Sequence, residues 1–344
     1  MDEQTNHVPV AEPVVAATAQ RSLLARLELV AFWLVVAPLA ALLPARLAYW
    51  VACRRGDRVF RRWPEGAAIV KRNLLQVFGD TLSPAEAERL ATEFSRAESC
   101  EAIDIMRLRN GARPLRKLVE FRGREHLEAA MAAGKGAILC SAHFGSYRSA
   151  FSLIHASGIP VTSIGLWWWN YDPYASPAVR RFWDFAYARR TLRHRQGPSI
   201  ESWECVASGH SAQAVSTLRR NEVVTILSDS APQVSDESRV VKVPFLGREA
   251  TFLPGVVHLA RSSGAPVLVV SVHRSADYRH QVVEISPPLS LEGELQEALA
   301  RCAAVMDAAI RTNPAQWGDW SDTGALASLG LIPATASPRN AVVA

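Results

Sequence analysis

The chain has 344 residues, with 38 Lys+Arg against 33 Asp+Glu for a formal net charge of +5, and is 49% hydrophobic and 21% charged. That balance supplies a sizeable core and excludes a wholly disordered chain, a collagen-like repeat and a coiled coil. The small basic excess suits an anionic partner, which composition alone leaves open among nucleic acid, a membrane surface and an acidic ligand. Cys53, Cys100, Cys140, Cys205 and Cys302 are scattered without a CxxC pair, which favours reduced, buried thiols over a disulfide framework or zinc site.

In chain order, residues 1–20 lack helical periodicity and read as a flexible lead. The next segment, 21–56, carries an uncharged apolar run from Leu29 to Ala45, interrupted by Pro38 and Pro44. It falls just short of the ~20 residues that span a bilayer. Arg54, Arg55, Arg58, Arg61, Arg62, Lys71 and Arg72 follow it, which favours the anionic cytoplasmic leaflet. An embedded or interfacial membrane-associating helix is expected, rather than a clean span. Asp2 and Glu3 stand where a signal peptide has its basic region, which argues against cleavage.

Residues 66–110 read as helical. Ser83, Pro84 and Glu86 form a capping box at one start. Residues 124–134 form another helix, leading into the apolar run 137–142, a buried strand. Further strands are expected at 223–229, 266–273 and 280–286, with helices at 175–192, 210–220, 255–263 and 292–312. Alternating strands and helices predict an α/β fold, a mixed central sheet flanked by helices on both faces. The Ala/Ser/Pro-rich stretch 321–344 reads as a loose tail.

His143 is the histidine with a catalytic setting. It ends a buried strand and precedes Gly145 and a helix start, where open α/β sheets bind ligands. A neutral imidazole there can take the proton of a hydroxyl attacking a carbonyl. A histidine satisfied structurally at a strand end is the competing reading. Cys140 faces the core, which argues against a thiolate nucleophile. No HExxH or similar spacing implies a metal, and no cofactor is expected. Nucleic-acid binding has only the bulk charge behind it.

The segment GREHLEAAMAAGKGAILCSAHFGSYRSA resembles the catalytic block of the late acyltransferases of lipid A biosynthesis, the lauroyl/myristoyl transferases of the HX4D/E glycerolipid acyltransferase superfamily. KRNLLQVF (71–78), LRRNEVVTILSDSAPQ (218–233), VPFLGREATFLPGVVHLARSSGAPVLVVSV (243–272) and NPAQWGDW (313–320) are similar to further family blocks in the same order. The resemblance spans about residues 23–320 and makes 57–320 the acyltransferase-like domain.

It implies O-acyl transfer from an acyl-carrier protein or acyl-CoA thioester to a hydroxyl of a membrane lipid or glycolipid, at the cytoplasmic face of the inner membrane. His143 becomes the general base, and Gly145, Ser146, Phe245, Gly247 and Arg248 substrate-binding positions. Arg189, in a basic run with Arg190, Arg193 and Arg195, is a further candidate contact for acyl-carrier protein or phospholipid headgroups, with a solvated basic face as the competing reading. The departure lies at the acidic position of HX4D/E, where this chain has Arg148, a cation that cannot orient an imidazole. Ser230 stands where the family usually has Gln. Three readings follow. Asp229, with Glu201 and Glu204 as alternatives, replaces the missing carboxylate; or Arg148 binds an anionic group while His143 acts alone; or the chain is catalytically degenerate and binds lipid or an acylated partner.

Overall fold

The computed structural model describes residues 31, 35–109, 113–165, 199–201, 212–229 and 240–333. The first described helices are α1 (Ala37–Leu42) and α2 (Ala45–Arg62), with Pro44 between them, then α3 (Pro64–Phe78) and α4 (Pro84–Arg109). Ser83 and Glu86 close the expected capping box at the start of α4: the Ser83 N–H donates to Glu86 Oε2 at 3.0 Å, and the Glu86 N–H donates to Ser83 Oγ at 3.3 Å. Short α5 (Arg113–Arg116) leads to β1 (Val119–Arg122), α6 (Arg124–Ala132), β2 (Ala137–Ser141), α7 (Tyr147–His155), β3 (Val161–Gly165) and β4 (Ser199–Glu201). After these come α8 (Ala212–Arg219), β5 (Val223–Leu227), β6 (Val241–Phe245), β7 (Arg248–Phe252), α9 (Gly255–Ser263), β8 (Val267–Arg274), β9 (Gln281–Ile285) and α10 (Leu295–Thr312). Two 3-10 turns, Pro314–Gln316 and Gly318–Ser321, and α11 (Thr323–Ser328) complete the described chain.

The central sheet has seven strands in the order β1-β9-β8-β2-β5-β3-β4. β1 and β9 run against the other five, so the sheet is mixed and mostly parallel. β2 lies at its middle and is buried along its whole length. Alternate β2 side chains enter opposite cores, as the two-residue period of a strand requires. Ile138 and Cys140 join a core built with α3, α4, α8, α9, α10 and the β6–β7 hairpin, while Leu139 joins another with α6 and α7. A separate apolar cluster packs α1 and α2 on α4 through Ala48, Tyr49, Ala52, Ile103 and Met106.

Two expectations need adjustment. The stretch after Trp320 is not loose as far as residue 333: Asp322 caps α11 by accepting from the Ala325 N–H at 2.9 Å, and Leu326, Leu329 and Leu331 are fully buried. These three apolar anchors outweigh the Ala/Ser-rich composition there. The apolar N-terminal run is described only in part, and among the described residues no helix is long and apolar enough to cross a membrane. What is described breaks at Leu43 and Pro44 and leaves Val35, Val36, Leu39, Leu42, Leu47 and Trp50 exposed. The helix expected at 175–192 lies outside the described residues.

Candidate active site

Adjacent parallel strands β2 and β5 pair with Ser141 opposite Leu227. The ladder continues one step further, where the Ser228 N–H donates to the Ser141 carbonyl at 2.9 Å. His143 and Asp229 are therefore at equivalent places beyond the carboxyl ends of neighbouring strands. The chain uses that register to bring them together: His143 Nδ1 lies 2.9 Å from Asp229 Oδ1, and the His143 N–H donates to Asp229 Oδ2 at 2.7 Å. The Trp317 indole N–H also donates to Oδ2, at 2.7 Å. Asp229 is completely buried, so protein groups rather than bulk water must satisfy its oxygens. Burial alone would raise its pKa, but the His143 charge and the three hydrogen bonds outweigh burial and hold it below the ordinary carboxylate value.

The imidazole keeps 29% of its side chain exposed, so with Nδ1 committed to Asp229 it still reaches solvent. Burial pulls its pKa down, but the charges of Asp229 and Asp319 and the Asp229 hydrogen bond push it up to about 9, with Arg148 opposing weakly. Cys140, by contrast, is fully buried, and its contact with Cys302 and its burial push the thiol well up, away from nucleophilic thiolate.

Arg148 does not take the orienting place. Its guanidinium donates to Glu101 Oε1 on α4 at 2.7 Å and lies over the Tyr147 ring, 4.5 Å from the centroid. Tyr147 in turn meets His143 edge-on, with ring centroids 5.6 Å apart. Residue 148 thus ties α7 to α4 beside the site. Ser146 is buried and shares a hydrogen bond with Ser149 at 2.8 Å.

Gly145 shapes the turn that presents His143. It has φ +59°, and a Cβ there would sit 1.9 Å from the Val272 carbonyl oxygen. Its N–H donates to the Gln316 carbonyl at 2.8 Å. Gly145→Ala must therefore displace the loop. The left-handed backbone alone costs about 1–2 kcal/mol, and an ångström-scale shift of a catalytic group costs roughly a hundredfold in rate. Thermal melts beside turnover rates check both effects, and unchanged turnover would show that the loop tolerates the shift.

The segment 313–320 completes the site, a role that the sequence reading did not assign to its residues. Gln316 reads the end of β8 like an extra strand: its Oε1 accepts from the Arg274 N–H and its Nε2 donates to the Arg274 carbonyl, both at 2.8 Å. The Gly318 N–H donates to the His143 carbonyl at 2.8 Å. Trp317 clamps Asp229 and packs its ring against Phe245, which is fully buried and stacked edge-on against Phe252. Phe245 reaches the site through Trp317 and stands in the core behind it, not at an open surface. Leu246 and Gly247, both left-handed, form the tight β6–β7 turn, and Arg248 donates to the Gln76 carbonyl at 2.6 Å. Arg189, Glu204 and Ser230 lie outside the described residues, as does the side chain of Glu201.

A ring nitrogen of His143 and one oxygen each of Asp229 and Asp319 all lie within 4.8 Å of one another. Such spacing also suits a cation. Here, however, Nδ1 and both Asp229 oxygens are already engaged in hydrogen bonds, and the arrangement is that of an oriented acid–base pair with a second carboxylate beside it.

Residues 18–166 and 203–320 match the family of bacterial lipid A biosynthesis acyltransferases, so the match covers most of the chain and every residue of this site. The chain is also similar to a lipid A biosynthesis acyltransferase of Haemophilus influenzae, 25% identical over 204 residues. The similarity covers 59% of this chain and 58% of that protein's length. The register-paired His143 and Asp229 and the closing Trp317 segment all fall within the matched blocks, and the chain belongs to the bacterial lipid A biosynthesis acyltransferase family.

Proposed function

We propose that this protein moves a fatty acyl group from a thioester, on acyl-carrier protein or coenzyme A, to a hydroxyl of a membrane lipid or glycolipid. The observation that carries this reading is the 2.9 Å contact of His143 Nδ1 with a buried carboxylate, Asp229. Asp229 fixes the tautomer with hydrogen on Nδ1, leaving the Nε2 lone pair for the acceptor. Nε2 takes the hydroxyl proton as the oxygen attacks the thioester carbonyl. The tetrahedral oxyanion collapses, the C–S bond breaks, and the imidazolium returns its proton to the thiolate. Asp229 stays ionised throughout and stabilises the imidazolium. The catalytically degenerate, lipid-binding reading needs an imidazole facing only Arg148, and the Asp229 carboxylate 2.9 Å from Nδ1 argues against it. With a pKa of about 9, His143 is a strong base populated in roughly one molecule in a hundred at pH 7.

The test supplies carrier-protein and coenzyme A thioesters to the protein in lipid vesicles and follows new acylated lipid by mass spectrometry. Product is expected from one donor class. No product from either class, across hydroxylated glycolipid and phospholipid acceptors, would overturn the reading.

The protein works at the cytoplasmic face of the inner membrane in this proposal. The support is the exposed set Leu39, Leu42, Leu47 and Trp50, next to Arg46, Arg54 and Arg58 on α2. Apolar side chains entering the acyl boundary contribute about 1.5–3 kcal/mol each. Leu39→Ser, Leu42→Ser and Trp50→Ser together are expected to lower sedimentation with anionic vesicles more than about tenfold. Unchanged sedimentation would place the membrane contact elsewhere.

A further inference from the structure

Asp229 has its oxygens filled by three donors, but Asp319 is different. Its carboxyl is half-buried, lies within the same 4.8 Å group as the His143 ring and Asp229, and accepts no hydrogen bond among the described residues. Its position is fixed through the backbone, because the neighbouring Gly318 N–H donates to the His143 carbonyl, while Trp317, two places earlier, clamps Asp229. One short segment therefore sets the environment of both partners. We propose that Asp319 is a positioning residue that acts through His143, a second carboxylate that stabilises the imidazolium and so sets the pH range in which the base works. The statement that His143 is the base rests on the function proposed above; the electrostatic coupling does not.

The charged and titratable groups around the imidazole come from every element packed on it. Asp229 follows β5, Asp319 sits in the closing turn, Tyr147 and Arg148 lie on α7, and Glu98 on α4 is near enough to feel both His143 and Asp319. Asp322 adds its charge to Asp319. Burial pushes the Asp319 carboxyl up to about 7, helped by Asp229, Asp322 and Glu98 and opposed by His143. Above that pH two carboxylates face the ring, and the proton is held tightly. Below it Asp319 is neutral and only Asp229 remains.

Asp319→Asn makes the neutral form permanent with almost no change of shape. Loss of one nearby opposite charge lowers a pKa by about one unit. The experiment is an NMR titration of the His143 Cε1–H signal in the full chain, assigned by its absence in His143→Gln, beside the pH profile of kcat/KM. The imidazole pKa is expected to fall by about one unit in Asp319→Asn, and the acidic limb of the rate profile to move with it while the high-pH plateau stays within severalfold. Asp319→Glu, which restores the charge, is expected to keep the parental titration. An unmoved imidazole titration in a folded Asp319→Asn protein would overturn the proposal. So would a collapse of the plateau rate with an unmoved limb, the signature of a direct contact with acceptor. Should Asp319→Asn not fold, Asp319→Ser carries the same comparison. Because the NMR titration needs no turnover, it separates failure of this inference from failure of the acyl-transfer reading.

Discussion

Asp229→Asn is expected to lower kcat by about 10⁴, the size of the loss when a serine protease's orienting Asp becomes Asn. The reason lies in the donor count. Two N–H groups, of His143 and Trp317, point at Oδ2, and the ring Nδ1 meets Oδ1. An asparagine has one acceptor atom, and two buried donors outweigh one, so its oxygen turns toward the backbone and indole N–H groups. Its NH₂ then faces Nδ1, which must become the acceptor. The hydrogen moves to Nε2, and the nitrogen that should take the hydroxyl proton is blocked. The structure changes little, so the melting temperature is expected to shift far less than the rate. His143→Ala should cost about as much, and the double variant little more than either, because residues acting as a unit are not additive. Single-turnover rates of the four proteins test this, and an Asp229→Asn enzyme retaining a tenth of the activity would remove Asp229 from the mechanism.

Asp104→Ala is expected to be the most damaging change away from the site, at about 3–5 kcal/mol, because it leaves a buried cation without its partner. Asp104 is fully buried on α4. It accepts from the Tyr49 hydroxyl of α2, from the Arg274 guanidinium at the end of β8, and from Gln281 Nε2 of β9 at 2.9 Å. The Arg274 side chain is only 3% exposed, and although burial disfavours its charge, the Asp104 carboxylate keeps it firmly protonated. Without Asp104, its remaining described hydrogen bond runs to the Tyr278 carbonyl at 2.9 Å. The same Arg274 backbone holds Gln316, so loosening at this node is transmitted to the segment that clamps Asp229. Denaturant titration of the wild type and Asp104→Ala measures the difference. A change below about 1 kcal/mol would mean that packing of α2 on α4, rather than this ion pair, holds the helical layer to the sheet.

What the sequence discloses and what it hides follow from separation along the chain. The strands at 137–141, 223–227 and 267–274 are read correctly because they are largely buried, mostly apolar runs, that at 281–285 because Val282, Val283 and Ile285 make a short β-branched run, and the helix at 255–263 because Pro254 and Gly255 mark its start. Of the central sheet, β1, β3 and β4 escape: β1 and β4 are only four and three residues long and lie at the edges, and β3 mixes Thr162, Ser163 and Gly165 with its apolar residues, so none of the three writes a continuous apolar run. His143 was legible from its place after a strand, and Asp229 became a candidate on the same logic. Their pairing depends on β2 and β5 being neighbours in register, which local pattern does not state. The contribution of Trp317, 88 residues from Asp229, was still less visible. Its Gln-Trp context marked the segment as belonging to the family block, but no spacing rule carries an indole N–H to a particular carboxylate. The pairing of Arg148 depended on Glu101 of α4, a partner 47 residues earlier.

The order in which the site's parts are synthesised gives it a temporal property. His143 and Asp229 leave the ribosome well before the residues that clamp them, since Gln316, Trp317 and Gly318 come after the last strand of the sheet and after α10. A nascent chain that has reached residue 313 can already pair β2 with β5, yet its buried carboxylate lacks one of its three donors and its histidine loop lacks both backbone tethers. Completion of the acid–base pair is therefore a late event of chain growth, because the residues that close it are among the last of the described chain to be made.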